Sequence, residues 1–186
     1  MSESRTALLV MDFQNGITER LGNDSVVGAA GRAVEATRAA DVPVMFVRVA
    51  FRPGYPEAAA ANSAFGALAQ TGDAFTQDSP ATQVIDALAP RPDEPVVVKR
   101  RVSAFSGSDL DVLLRAARVD SLVLAGIATS GVVLSTLRQA ADLDYRLTVL
   151  ADACADQDPE VHRVLTEKVF PRQAQVTTAD EWAKSL

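Results

Sequence analysis

The feature that most restricts this chain is an alternation of two kinds of segment. A short apolar run ends in a polar residue or glycine, and a longer helix-forming stretch follows. Ala7 to Met11 (ALLVM) is the first such run, with nothing polar inside it. A strand with one wet face alternates in polarity, whereas one buried on both faces does not, so this run reads as a strand inside a parallel sheet. Pro43 to Ala50, Pro95 to Lys99, Ser121 to Gly126 and Arg146 to Ala151 repeat the pattern, and Gln175 to Thr177 is a short sixth candidate. Between them, Asp24 and Ser25 open a helix to about Ala40, Ser108 caps one from Asp109 to about Arg118, and another runs from about Gly131 to Leu143. Asp158-Pro159-Glu160 is a strong start for a helix ending near Phe170, and Thr178 with Glu181 resembles a capping box. Strands separated by helices imply right-handed crossovers and a three-layer αβα fold, its mostly parallel sheet covered on both faces.

At 186 residues the chain suits one domain, residues 1–186, with no repeat or linker. The net charge of −6 gives no electrostatic reason to expect nucleic acid or an anionic membrane as partner. A single cysteine, Cys154, excludes an internal disulfide framework and a cysteine zinc cluster, and a single histidine, His162, excludes two-histidine metal sites. Cys154 reads as a small buried thiol after the fifth strand, and His162 as a helix-face residue. Residues 1–6 lack the basic and apolar regions of a signal peptide, and no apolar run spans a bilayer, so a cytoplasmic location is expected.

Ligands of open α/β sheets sit at the carboxyl ends of the strands. Asp12 follows ALLVM directly, Lys99 ends the third strand, and Gly126 to Gly131 (GIATSG) leads from the fourth strand into a helix. If those strands are neighbours, a carboxylate, an ammonium and a helix N-terminus converge on one crevice. Either charge also serves as an ordinary polar strand terminator. Phe51 to Pro80 lacks a period and contains Pro53, Gly54 and Pro56, which suits a lid or pocket wall.

Three blocks, Asp12-Phe13-Gln14-Asn15, Lys99 with Ser103-Ala104-Phe105, and Gly126-Ile127-Ala128-Thr129, resemble those of the isochorismatase-like, or cysteine hydrolase, superfamily in order and separation. The resemblance extends from about Thr6 to Thr177. It implies a six-stranded parallel sheet, a small-molecule substrate, no cofactor, and assembly as a homodimer or homotetramer. It places the family's Asp–Lys–Cys triad on Asp12, Lys99 and Val132, so the usual nucleophilic cysteine is replaced by an isopropyl group that offers neither lone pair nor proton. It also implies an oxyanion hole from the Ala128 and Val132 amides and a non-proline cis bond between Ile127 and Ala128. Metal binding of the nicotinamidase type needs histidines after the first strand that this chain lacks.

Around that core, Phe13, Gln14, Arg48, Phe51, Arg52, Phe105, Ser130 and Gly131 are candidate substrate contacts, with arginine suited to the carboxylate of an organic acid. Arg100 and Arg101 follow Lys99 and belong to the same reckoning. Without a thiol, Asp12 and Lys99 remain able to run acid–base hydrolysis with water as nucleophile, as when an aspartic acid protonates a vinyl ether. Burial favours the neutral pair and charge pairing the ionised one, so protonation belongs to the pair. Two alternatives stand beside this: a non-catalytic relative that binds a metabolite or partner, and an amide hydrolase using Ser130 or Ser135. Ser130 also suits a helix cap.

Overall fold

A computed structural model describes residues 5–186. The reading of the first four residues as free of a signal sequence lies outside the described residues. Six strands form one sheet, parallel throughout: β1 (Thr6–Met11), β2 (Val44–Val49), β3 (Val96–Lys99), β4 (Ser121–Ile127), β5 (Arg146–Ala155) and β6 (Gln175–Thr177). Their order is β3-β2-β1-β4-β5-β6, so the chain builds outward from β1 and then restarts on its other side with β4. That reversal puts a switch point between β1 and β4, where an open sheet has its crevice.

The unbroken apolar run of β1 is explained by burial on both sides. Ala7, Leu9 and Met11 pack with α3 (Leu110–Ala116) and α4 (Leu134–Asp142), through Leu110, Leu114 and Leu137. Leu8 and Val10 face the other way, onto α2 (Asp24–Ala39) through Ala29, Ala30, Ala33 and Val34. α6 (Ala179–Ser185) adds Trp182 to that second layer, and its N-terminus carries the expected Thr178–Glu181 capping box. Each fully buried aliphatic side chain contributes roughly 1.5–3 kcal/mol, so two closed layers give the sheet its stability.

Several elements differ from their sequence expectation. Asn23, not Asp24 or Ser25, caps α2, accepting from the Ser25 amide at 3.2 Å. β5 continues to Ala155, which places Cys154 inside the strand, because an irregularity in its pairing with β4 absorbs extra residues. The helix entered from Gly126 begins as a π-helical turn over Thr129–Val133 before α4. α5 covers only Pro159–Val164, with a π turn and a 3-10 turn carrying the chain through Phe170 to Arg172. A short helix, α1 (Asn15–Leu21), was not anticipated. Among the described residues no helix is long and apolar enough to cross a membrane.

Candidate active site

Asp12 leaves β1 with φ of 59°, in the left-handed region that aspartate tolerates better than most residues. Its amide donates to Val47 O at 2.8 Å, which keeps the turn attached to β2. Lys99 ends β3, and β2 lies between the two, so β1 and β3 are not neighbours. The flexible stem of the lysine crosses the end of β2, and Nζ reaches Asp12 Oδ2 at 2.9 Å while also donating to Arg101 O at 3.0 Å. Asp12 is 5% and Lys99 2% exposed. The second carboxylate oxygen, Asp12 Oδ1, is buried without a hydrogen-bond partner. Burial pushes the Asp12 carboxyl above its ordinary value, although the Lys99 charge and, more weakly, the Val49 amide pull it down.

The third side of the cleft comes from the end of β4. The peptide between Ile127 and Ala128 is cis, and Ala128 O accepts from Gly131 N at 3.1 Å and Val133 N at 3.4 Å, bypassing the Val132 amide. Ser130 N donates to Asp156 Oδ2 at 2.7 Å, so Asp156 occupies the helix entrance that the Ser130 side chain was expected to cap. Beneath the turn, the buried Thr129 hydroxyl lies 2.8 Å from His162 Nδ1. The lone histidine therefore braces this turn instead of merely decorating a helix face. Burial lowers its pKa, against a weaker upward pull from Asp156.

Asp12, Lys99, Ala128, Ser130, Gly131 and Val132 all line one cleft of about 440 Å³, a size typical of small-molecule sites. Val132 is 3% exposed and presents only hydrocarbon. Cys154 does not line this cleft; its Sγ lies 3.9 Å from Leu124 O, and burial pushes its thiol up to about 12. Among the described residues, no group of three or more His, Cys, Asp or Glu is arranged to hold a metal ion.

Eight of the expected substrate contacts sit elsewhere. Gln14 is buried and ties the sheet to the following loop: Nε2 donates to Val49 O at 2.9 Å and Thr82 O at 2.8 Å, and Oε1 accepts from Val49 N at 2.8 Å. Arg48 is committed to Gln77 O at 3.0 Å and to Thr82, and Arg52 pairs with Glu57 at 2.6 Å. Arg100 also pairs with Glu57, at 3.2 Å, and Arg101 donates to Glu57 O and Arg100 O. Phe13 and Phe105 belong to opposite core layers. Phe51 is fully buried behind the wall, its ring centroid 5.5 Å from that of Phe65, which does line the cleft.

Sequence reasoning missed Ile17, Arg20 and Leu21 on α1, and Asp156 and Gln157 beyond β5, all of which line the cleft. α1 has no side-chain N-cap, so its start carries no signal, but Gly22 closes it at φ of 60°. A left-handed glycine after Leu21 was the available clue.

The isochorismatase domain model matches residues 6–181. The uncharacterized isochorismatase family protein YecD of Escherichia coli O157:H7 is 34% identical over 197 residues, covering 100% of this chain and 98% of the relative. Ureidoacrylate amidohydrolase RutB of Methylobacterium radiotolerans is 36% identical over 186 residues, with 88% and 72% coverage. Among solved structures, an isochorismatase family protein from Burkholderia thailandensis superposes with a TM-score of 0.84 at 30% identity, over 97% of this chain and 95% of that one. A cleft at the β1–β4 switch point and matches along nearly the whole chain lead to one conclusion: this protein belongs to the isochorismatase family.

Proposed function

We propose that this chain is a hydrolase of a small organic metabolite in which Asp12 moves the proton and water supplies the nucleophile. One observation carries the reading: the free oxygen of Asp12 is a buried, unpartnered acceptor or donor on a carboxyl that lines the cleft. Burial raises the Asp12 carboxyl against the opposing pull of Lys99, and a raised carboxyl is the kind suited to proton transfer in acid catalysis. Val132 leaves no protein atom there to form an acyl intermediate, so the bond must be broken without one.

For a vinyl ether the steps balance as follows. Asp12 gives its proton to the terminal carbon, and an oxocarbenium ion forms. Water adds to that cation and returns a proton to Asp12, and the hemiketal then expels the alcohol, leaving a ketone. Lys99 holds Oδ2 in place, and the amides of Ala128 and Val132 orient a substrate oxygen. Hydrocarbon walls keep stray water from the cation. The RutB similarity favours a second reading on the same groups: ionised Asp12 takes a proton from water as it attacks a ureido carbonyl, and that proton passes to the departing amine as the C–N bond breaks, leaving a carbamate. Serine participation has less support. Ser130 is exposed, with no hydrogen bond from its hydroxyl to a base among the described residues, and Ser135 does not line the cleft.

The test is turnover of 2-methoxyacrylate, giving pyruvate and methanol, beside 3-ureidopropanoate. Both are run with wild type and Asp12→Asn, with mass spectrometry of the protein during turnover. Consumption of either by wild type alone, with no acylated residue, supports the proposal. Equal turnover by the mutant, an acyl-serine, or stabilisation by a ligand that is never consumed would overturn it. Assembly into two or four copies and cytoplasmic residence belong to the same proposal; light scattering checks the first.

A further inference from the structure

The charges around the cleft are spent, with one exception. Lys99 is paired with Asp12, and Asp156 accepts from the Ser130 amide. Arg48, Arg52, Arg100 and Arg101 are all engaged with protein acceptors outside it. Arg20, in the last turn of α1, lines the cleft, is exposed, and has no carboxylate within ion-pair distance among the described residues. Its guanidinium carbon sits 5.7 Å from the centre of the Phe75 ring. Phe75 in turn packs into the apolar cluster of Val49, Phe51 and Tyr55, and the Phe75 amide donates to Tyr55 Oη at 3.1 Å. The cation therefore rests on an anchored ring, and its N–H fork remains unused by the described residues.

Resting on the hydrolase reading, we propose that Arg20 binds the carboxylate of the substrate and so selects its class: a small organic anion with its charge at one end and its scissile group at the other. A planar guanidinium matches a carboxylate with two parallel hydrogen bonds, which a lysine cannot reproduce. The cleft that Arg20 and Asp12 share is also lined by Ile17, Leu21, Val49 and Ile127, so an apolar connecting part of the substrate suits it. A neutral substrate leaves Arg20 unused, and a dianion finds no second free cation among the cleft residues.

The experiment is calorimetric binding, which needs no turnover. Wild type, Arg20→Met and Arg20→Lys are titrated with 2-methoxyacrylate and 3-ureidopropanoate, and with the carboxamide of each. The expected result is that wild type prefers the acids by roughly 10- to 150-fold, the range of a hydrogen-bonded charged group. Arg20→Met should lose that preference while binding the carboxamides as wild type does, and Arg20→Lys should recover only part of it. Thermal melts like wild type keep the comparison valid, as expected for an exposed side chain. A preference that survives Arg20→Met, or wild type that binds neither acid, would overturn the proposal. Acid binding that depends on Arg20, without turnover of either compound, sinks the hydrolase reading and leaves Arg20 as the anion contact.

Discussion

Lys99 Nζ lies 2.9 Å from Asp12 Oδ2, across the end of an intervening strand, while Oδ1 of the same carboxylate has no partner. One oxygen is thus engaged by Lys99, and the other, unpartnered among the described residues, is the one the proposed proton transfer would use. The two roles separate experimentally. Asp12→Asn keeps the shape and removes the transferable proton, so turnover should fall at least about 100-fold. Asp12→Ala strands a buried ammonium and should cost about 3 kcal/mol of stability in urea unfolding. Adding Lys99→Met should restore most of that stability and none of the activity.

The pH dependence has a defined sign. Burial holds Asp12 above 3.8, so between that value and its raised one the folded chain binds a proton that the unfolded chain releases. The contribution of this group to stability therefore declines as pH rises through the window. In the proposed mechanism the protonated form is the donor, so kcat/KM should fall with the same ionisation on its alkaline side. A pH–rate profile without that limb would contradict acid catalysis.

Val132→Cys would place a thiol beside Lys99, where a neighbouring ammonium favours the thiolate. Iodoacetamide at neutral pH should label this variant once and the wild type hardly at all, because the native thiol is buried and pushed up to about 12. Intact-mass spectra read the difference directly.

Away from the cleft, Arg38 forms two 2.7 Å hydrogen bonds to Glu94, joining α2 to the start of β3. Burial raises the Glu94 carboxyl, but the Arg38 bonds, the Arg91 amide and the charges of both arginines together outweigh it and the net shift is downward. Its stabilisation is then present above pH 4.5 and lost as pH falls through the lowered value. Glu94→Gln should cost about 1.5–3 kcal/mol at neutral pH. Arg38 keeps Glu35 at 2.8 Å, which puts the loss towards the lower end. Denaturation at pH 7 and at a series of lower pH values checks both the size and the sign, since the gap between variant and wild type should narrow as Glu94 is protonated below 4.5.

The layers were legible because a strand buried on both faces leaves an uninterrupted apolar run, and ALLVM is such a run. The mouth of the cleft was legible as far as strand ends go, which covers Asp12, Lys99 and the turn after Gly126. Side-chain allegiance was not. Gln14 and Arg48 stand beside the site in sequence, yet each is claimed by backbone carbonyls of the loop through Thr82, contacts whose spacing of 34 to 68 residues leaves no local pattern. Arg20 was hidden for the opposite reason: its helix is only seven residues long and lacks a capping side chain, so its periodicity is too brief to register.

The hydrocarbon at position 132 has a further consequence for how the molecule ages. Peroxide inactivates thiol enzymes by carrying an exposed thiolate to sulfenic and then sulfinic acid. No sulfur lines this cleft, and the sole cysteine is buried in β5, its Sγ 3.9 Å from Leu124 O. An oxidant that attacks thiolates therefore meets no sulfur among the residues lining this cleft.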